Sequence, residues 1–390
     1  MAAVAVLAEE KDFRLQILDF RFQTSDFRLM RTLLHILLLA VNAVVVAALL
    51  LAAFAGYVSP TISIVPSLLG LGFEWIVLVN ILMCIVWLLT SKRRYVLVSG
   101  IALLITVIPI KRTFNLTSHH SEQITQSHHI KVLTYNTLRL GKRRPADQND
   151  VLQYIKNSKA DIVFLQEYEE SCNNKFLQKE AITRTLADYP YHFTQFRIND
   201  KTRRFGVAIF SKYKLYNFKN IDYESTYNGA FSCDALVGDD ILHLVCVHLE
   251  SNQLTGKELD QPVEDAKNNS SDVTASTKNI IDKMRKAYAL RLIQADIIAK
   301  DVLQSKHKTI LCGDFNDVPV SYTYHRISKH LHDAFAEAGP RGFGHTFKRK
   351  WLHVRIDYIL HSDNMKAYNL HVDKNDGSDH FPVSCIIAWE

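Results

Sequence analysis

Between residues 32 and 90 the only charged side chain is Glu74, whereas charge is dense from residue 113 to the end. Three apolar stretches fill the first part. Residues 32–58 form a run of 27 without Asp, Glu, Lys or Arg, enough as a helix to cross a hydrocarbon core of ~30 Å with some tilt. Residues 68–89 are a second candidate, with Glu74 and Trp75 near one end, the tryptophan suited to a membrane interface. Residues 95–110 number only 16, or ~24 Å of helix. Arg93, Arg94, Lys111 and Arg112 flank that stretch and can snorkel to complete a span. The pattern therefore predicts about three transmembrane helices within residues 31–112. A cleaved signal peptide does not fit, because the first run is too long and two more follow.

Beyond a polar linker (residues 113–129), strand-like and helical patterns alternate. Strands are predicted over residues 130–135, 160–166, 206–211, 241–248, 309–312, 355–360 and 382–388. Helices are predicted over 147–157 and 280–302, the latter from apolar positions Ile281, Met284, Ala287, Leu290, Ile293, Ala295 and Ile298. Residues 254–277, polar and rich in Asn, Ser and Asp, read as a loop. Such a mixture over residues 130–390 predicts one α/β domain whose sheets are covered by helices. Strand pairing does not follow from the pattern.

The formal net charge of +6 sharpens this division. Residues 113–390 carry 36 basic and 34 acidic side chains, so most of the excess surrounds the apolar segments. Arg28 and Arg31 precede the first, Lys92, Arg93 and Arg94 separate the second from the third, and no Lys or Arg lies between the first two. The positive-inside rule then puts the N-terminus in the cytoplasm and, with three spans, the domain on the opposite, periplasmic face. The near-neutral domain lacks the broad basic footprint of a non-specific nucleic-acid binder. Apolar residues at 48% and charged residues at 22% exclude disorder and collagen. Six cysteines include no C-x-x-C pair, and Cys246, Cys312 and Cys385 within strand patterns read as small core residues.

Two features read as uninvolved in chemistry. Asp-Phe-Arg recurs at residues 12, 19 and 26; residues 1–30 are taken as a translated repeat upstream of a start at Met30, with an amphipathic surface helix as the alternative. The pairs His119-His120 and His128-His129 read as solvated linker rather than as a metal site.

Candidate chemistry gathers at strand ends, where α/β scaffolds place reactive groups. Asn136 follows VLTY, Glu167 follows DIVFLQ, His248 follows LVCV, Asp314 and Asn316 follow TILCG, and Asp379-His380 precedes FPVSCII. No G-x-S-x-G, Walker A or H-E-x-x-H motif competes. Carboxylate and amide oxygens suit Mg²⁺ or Mn²⁺, and an Asp–His unit beside such an ion is an arrangement for cleaving phosphoesters. Lys283, Arg285, Lys286 and Arg291 read as a solvated helix face rather than a phosphate-approach stripe.

Seven motifs in order, LTYNTL (133–138), IVFLQE (162–167), GVAIFSK (206–212), VCVHLES (245–251), LCGDFND (311–317), RIDYIL (355–360) and SDHFPV (378–383), resemble the endonuclease/exonuclease/phosphatase superfamily. The run GDFNDVPVSYTY and the preceding helices resemble its membrane-anchored bacterial branch. The resemblance implies a four-layer α/β sandwich, two mixed sheets flanked by helices. It implies that Asn136 and Glu167 hold the metal with Asp379 auxiliary. It further implies that Asp314 orients or deprotonates the attacking water, Asn316 stabilises the pentavalent phosphorus, and His248 contacts phosphate. Asp357 would orient His380, which would face the scissile phosphate. Some nuclease members carry an acid where this chain has Leu138, so a single Mg²⁺ (or Mn²⁺) is expected. The expected function is a membrane-anchored, metal-dependent phosphoesterase acting on nucleic acid, a lipid head group or a small organophosphate, without an obligatory protein partner. A catalytically inactive membrane-tethered binding scaffold of the same fold is the alternative.

Overall fold

The computed structural model describes residues 2–116, 124, 126–141, 144–172, 177–267, 272–349 and 352–390, with side chains from residue 28 onward except at 256 and 259. His119 and His120 lie outside the described residues, as do the side chains of the N-terminal repeat except that of Arg28 and Leu29. Two compact units emerge, residues 1–50 with 75–105, and residues 51–74 with 106–390.

Helix α1 (Ala2–Ala53) contains Arg28–Ala53, the one described helix long and apolar enough to cross a membrane unaided. The second and third predicted spans are each broken. Helices α2 (Val65–Leu71) and α3 (Phe73–Leu89) meet at a 78° bend, and α4 (Val96–Ile105) and α5 (Val107–Thr113) at a 60° bend. If each bent pair is one span, the count reaches three. Both breaks have local causes. Gly70 and Gly72 weaken the first site, where Gly72 N donates back to Leu69 O at 3.0 Å. At the second, Pro109 has no N–H for the carbonyl of Ile105, four residues back, and its ring crowds that oxygen. Within the helical unit, Ser99 Oγ donates to Asn42 Oδ1 at 2.6 Å, both side chains buried.

The larger unit begins with β1 (His128–Asn136), α6 (Asp150–Ser158), β2 (Ile162–Ser171), α7 (Lys179–Thr185), β3 (Tyr191–Asn199) and β4 (Arg203–Ser211). It continues through β5 (Lys214–Ile221), β6 (Ala230–Val237), β7 (Asp240–His248), α8 (Gly256–Lys267), α9 (Val273–Gln304) and β8 (Lys308–Asp314). Helix α10 (Tyr322–Ile327), β9 (His332–Asp333), α11 (Ala334–Ala338), β10 (Phe347–Arg349), β11 (Leu352–Val354), β12 (Asp357–His361), β13 (Met365–Val372) and β14 (Val383–Trp389) complete it. Two mixed six-stranded sheets result, ordered β13-β14-β1-β2-β4-β3 and β5-β6-β7-β8-β12-β9. Their inner faces share one core in which Ile130, Val132, Ile162 and Phe164 meet Leu244, Cys246, Ile310 and Cys312. The outer face of the first sheet packs on α6 and α7 through Leu133, Val163, Leu152 and Ile182. The outer face of the second packs on α9 and α10 through Val245, Leu311, Ile298 and Tyr324. Cys246, Cys312 and Cys385 are free and buried in the shared core.

Three expectations change. Residues 254–277 are not a loop: α8 begins with a reciprocal cap, Thr255 N donating to Glu258 Oε2 at 2.9 Å and Glu258 N to Thr255 Oγ1 at 3.3 Å. That is the T-x-x-E capping box, legible in TGKE. Strands β3, β5, β6 and β13 and the short β9, β10 and β11 went unpredicted; β3 and β5 are sheet edges with mostly half-buried or exposed side chains, which blurs the alternation, whereas β6 is interior and almost wholly buried. Arg291 is not on a solvated face. It is fully buried, donating to Glu250 O at 2.7 Å and Asn252 Oδ1 at 3.0 Å, with Nε 3.5 Å from Asp317 Oδ2.

Residues 51–74 are built into the domain. Ile64, Leu68 and Leu71 pack with Met284 and Tyr288 of α9, and the Tyr57 ring lies 4.3 Å from that of His325.

Candidate active site

Strand periodicity positions the site. Side chains two residues apart share a sheet face, so the inward row of β1 that begins Ile130, Val132 ends on Asn136. In β7 the row through Leu244 and Cys246 ends on His248, and in β8 Ile310 and Cys312 lead to Asp314. Register aligns these ends: His248 pairs with Asp314 across the parallel β7–β8 ladder, and Asp357 with Asp314 across β12–β8. The dry core thus terminates, at one edge, in a row of polar groups.

Glu167 is out of phase with the inward row of β2, where Phe164 precedes Gln166. The β2–β4 register shifts between Leu165 and Tyr168, and Glu167 takes the left-handed φ of +51°. Such backbone costs ~1–2 kcal/mol for a residue with a Cβ, and a bulge of this kind re-aims a side chain. Gly313, at φ +150°, admits no substitute, because a Cβ there would lie 1.9 Å from Val247 O.

Asp314 is the hub. Its Oδ2 accepts from Asn136 Nδ2 at 2.9 Å and lies 3.8 Å from Nε2 of both His248 and His380, while Oδ1 accepts from Asn316 N at 2.7 Å. Asn136 Nδ2 also lies 3.5 Å from Glu167 Oε1. His380 Nδ1 lies 2.9 Å from Asp357 Oδ2. Asn316 is half-buried and donates its amide to Leu249 O at 2.9 Å. Asp379 is half-buried, and its charge acts on both Glu167 and His380. All eight predicted site residues therefore converge on one end of the sheets. His128 and His129 stay exposed on β1, and His128 stacks on Trp389.

Burial sets the electrostatics. It pushes the Asp314 carboxyl up, reinforced by the Asp357 charge. It lowers the His248 imidazole. It also opposes a charged His380, but Asp357 and Asp314 outweigh it and raise that group well above its ordinary range. Glu167 is likewise raised by burial, and no Lys or Arg nitrogen among the described residues reaches it as an ion pair. Both ring nitrogens of buried His248, and Asp357 Oδ1, have no hydrogen-bond partner within the described protein. Asp314, Asp357 and His380 each offer a ligand atom within 4.8 Å of the others. Glu167 lies beside the Asn136 amide, whose Nδ2 faces it while Oδ1 accepts from Leu138 N at 3.2 Å.

Several contributors escaped the sequence reading. Ser378 Oγ donates to Asn136 O at 2.8 Å and accepts from His380 N at 3.1 Å, tying the last motif to the first. Thr137 Oγ1 lies 3.0 Å from Glu167 O and 3.1 Å from Gln166 O. Leu138, Arg139 and Leu140 form a left-handed turn at φ 44°, 60° and 58°, and Leu138 and Arg139 with Glu167, Glu169, Asp376 and Ser378 line a cleft of 510 Å³. Ser378 stands within the SDHFPV motif and Thr137 in LTYNTL, so proximity to quoted residues was the one available signal.

The model of the Endonuclease/Exonuclease/phosphatase family matches residues 133–380, and that of a Domain of unknown function (DUF8431) matches residues 35–113. No curated protein matches the sequence. Among solved structures, an endonuclease/exonuclease/phosphatase from Beutenbergia cavernae is 15% identical with a TM-score of 0.46, the match covering 67% of this chain and 72% of that one. D. rerio TDP2 humanized by 14 mutations is 15% identical, TM-score 0.47, over 66% of this chain and 98% of its own. The human Nocturnin catalytic domain is 18% identical, TM-score 0.45, over 67% and 95%.

Proposed function

The chain belongs to the endonuclease/exonuclease/phosphatase family, and from that membership and its site we propose a membrane-anchored hydrolase of phosphoester bonds that depends on one Mg²⁺ or Mn²⁺. The observation that carries the reading is Asp314, placed between two imidazoles and backed by the hydrogen-bonded Asp357–His380 pair. Glu167 and Asn136, with Asp379 beside them, would hold the cation: a half-buried carboxylate and an amide side chain lie together there, and their oxygens suit a hard ion. When bound, the ion supplies positive charge to the phosphoryl oxygens. Asp314 is the group that orients water and accepts its proton. His248, its ring nitrogens unpartnered, donates to a non-bridging oxygen, and Asn316 stabilises the crowded phosphorus from the other side. Asp357 fixes the His380 tautomer so that Nε2 faces the substrate.

The test is hydrolysis by the full chain in detergent, across DNA, RNA, phospholipid head-group esters and small phosphomonoesters. Each substrate is assayed with Mg²⁺, with Mn²⁺ and with chelator. Metal-dependent release from at least one class is expected; none from any class overturns the reading.

We further propose three crossings, with the domain on the non-cytoplasmic side. The basic residues around the apolar segments support that orientation. The packing of residues 51–74 on α9 and His325 supports an even number of crossings between them and the domain, since both must share one side. A reporter active only after export, fused after residue 116 or at the C-terminus, should be active in both positions. Silence in both would place the domain in the cytoplasm.

A further inference from the structure

The Asp357–His380 pair is held by a short strap, residues 345–348, that lies across it. Thr346 Oγ1 accepts from Ile356 N and Asp357 N, both at 3.1 Å, and Thr346 O accepts from Phe381 N at 2.6 Å. The Phe347 ring lies 4.9 Å from that of His380, and Lys348 N donates to Asp379 O at 3.0 Å. The strap therefore touches Asp357 and the residue before it, and His380 and the residues on both sides of it. Its own secondary structure is slight: β10 is three residues long, pairs with β11 in a two-stranded sheet, and adds one isolated bridge from Phe347 to His380. A two-stranded ribbon is marginal alone, so its placement depends also on what grips its start.

That grip comes from segments next to the apolar helices. His345 Nε2 lies 2.8 Å from Glu74 Oε2, both largely buried, and Glu74 stands in the first turn of α3. The His345 ring stacks on Phe343 at 5.3 Å and 4°, and Phe343 meets Phe114, just after α5, edge-on at 4.8 Å. Asn115 and Gly342 exchange two backbone hydrogen bonds of 2.9 Å. Arg355, two residues before Asp357, donates to Arg112 O at 2.7 Å. Glu74 is also the one charge in the sequence between residues 32 and 90.

We propose that Glu74 is a positioning residue for the Asp357–His380 pair, acting through His345 and the strap 345–348, so that the membrane segment completes the active site. The proposal rests on the assignment of His380 to catalysis. Glu74 touches neither substrate nor reacting atoms in this scheme. Loss of its bond loosens the strap and misaligns His380, which affects the chemical step more than ground-state binding.

The test uses the full chain in detergent, comparing wild type with Glu74→Gln, Glu74→Ala and His345→Ala. Hydrogen exchange read by mass spectrometry should rise in peptides covering 343–349 and 378–383 for both alanine variants, and less for Glu74→Gln, which keeps an acceptor. That readout needs no turnover, so it stands even if no phosphoester is cleaved, an outcome that would sink the functional reading alone. With an active substrate, kcat should fall ~10-fold, the effect of ~1.4 kcal/mol, while KM stays within about twofold. The double variant Glu74→Ala/His345→Ala should be no worse than either single. Unchanged exchange in both peptides overturns the proposal. So does a kcat loss in Glu74→Ala that His345→Ala fails to reproduce, or one that appears equally as a rise in KM.

Discussion

Replacing His380 or Asp314 by alanine is expected to lower kcat/KM by ~10²–10⁴, the usual effect of deleting a positioned acid or base. The geometry explains why neither can be spared. Asp314 Oδ2 lies 3.8 Å from Nε2 of both histidines and accepts from Asn136, while its Oδ1 is fixed by the backbone of Asn316. A neutral side chain there leaves the Asn136 amide without its partner and removes the carboxylate that polarises water. His380 is oriented by Asp357 at 2.9 Å, so its loss removes both a donor and the purpose of that acid. Because the two serve one displacement, the double variant should fall far short of the product of the singles. Removing a fully buried carboxylate can also unfold the domain; Asp314→Asn, isosteric and uncharged, separates the two effects. Steady-state kinetics on the cleaved phosphoester, with circular dichroism for folding, decides. Folded Asp314→Asn and His380→Ala with near wild-type turnover would show that another mechanism operates.

Excess chelator is expected to abolish turnover, and Mg²⁺ or Mn²⁺ to restore it. Burial raises Glu167 against the lowering charges of His380 and Arg139, so a divalent ion would offset the desolvation that remains. Glu167→Gln keeps the shape and one oxygen but loses the charge. The metal concentration for half-maximal activity should rise by at least the ~10–100-fold seen when a ligand's own support is removed. Thermal unfolding of the metal-free variant should change little, because the wild-type carboxylate is already unfavourably buried. A metal titration of activity provides the comparison. If Glu167→Gln leaves the metal requirement unchanged and Asp357→Asn raises it, the ion belongs to the Asp314, Asp357 and His380 group instead. Full turnover in chelator removes metal from the mechanism.

How legible the site was depended on where each residue sits along its strand. Asn136, His248 and Asp314 close inward rows whose earlier members are core apolar residues, so a polar residue at the end of such a row carries a readable signal. Glu167 breaks that rule through its left-handed backbone, and it was the motif, not the period, that pointed to it. Thr346 and Phe347 carried no signal at all. Thr346 precedes a three-residue strand and Phe347 opens it, and both owe their contacts to Asp357 and His380 to tertiary packing. Arg291 was misplaced for the reverse reason: a basic residue near the middle of an amphipathic helix looks solvated until Glu250, Asn252 and Asp317 are known to close over it.

The sequence by itself determined the elements that local physics sets: a first helix long and apolar enough to span, the interior strands other than β6, and the polar residues that end several of them. It also held the reasons for the broken helices, Gly70, Gly72 and Pro109, but not how sharply each bends. Only the tertiary structure decided which strand ends meet, since register across β7, β8 and β12 depends on pairing between residues 43 to 66 positions apart. It likewise turned residues 51–74, read as the end of one apolar stretch, a link and the start of the next, into a part of the domain, because Ile64, Leu68 and Leu71 pack against α9 only once that helix is in place. Burial and register are properties of the assembled chain, and no local pattern of residues encodes them.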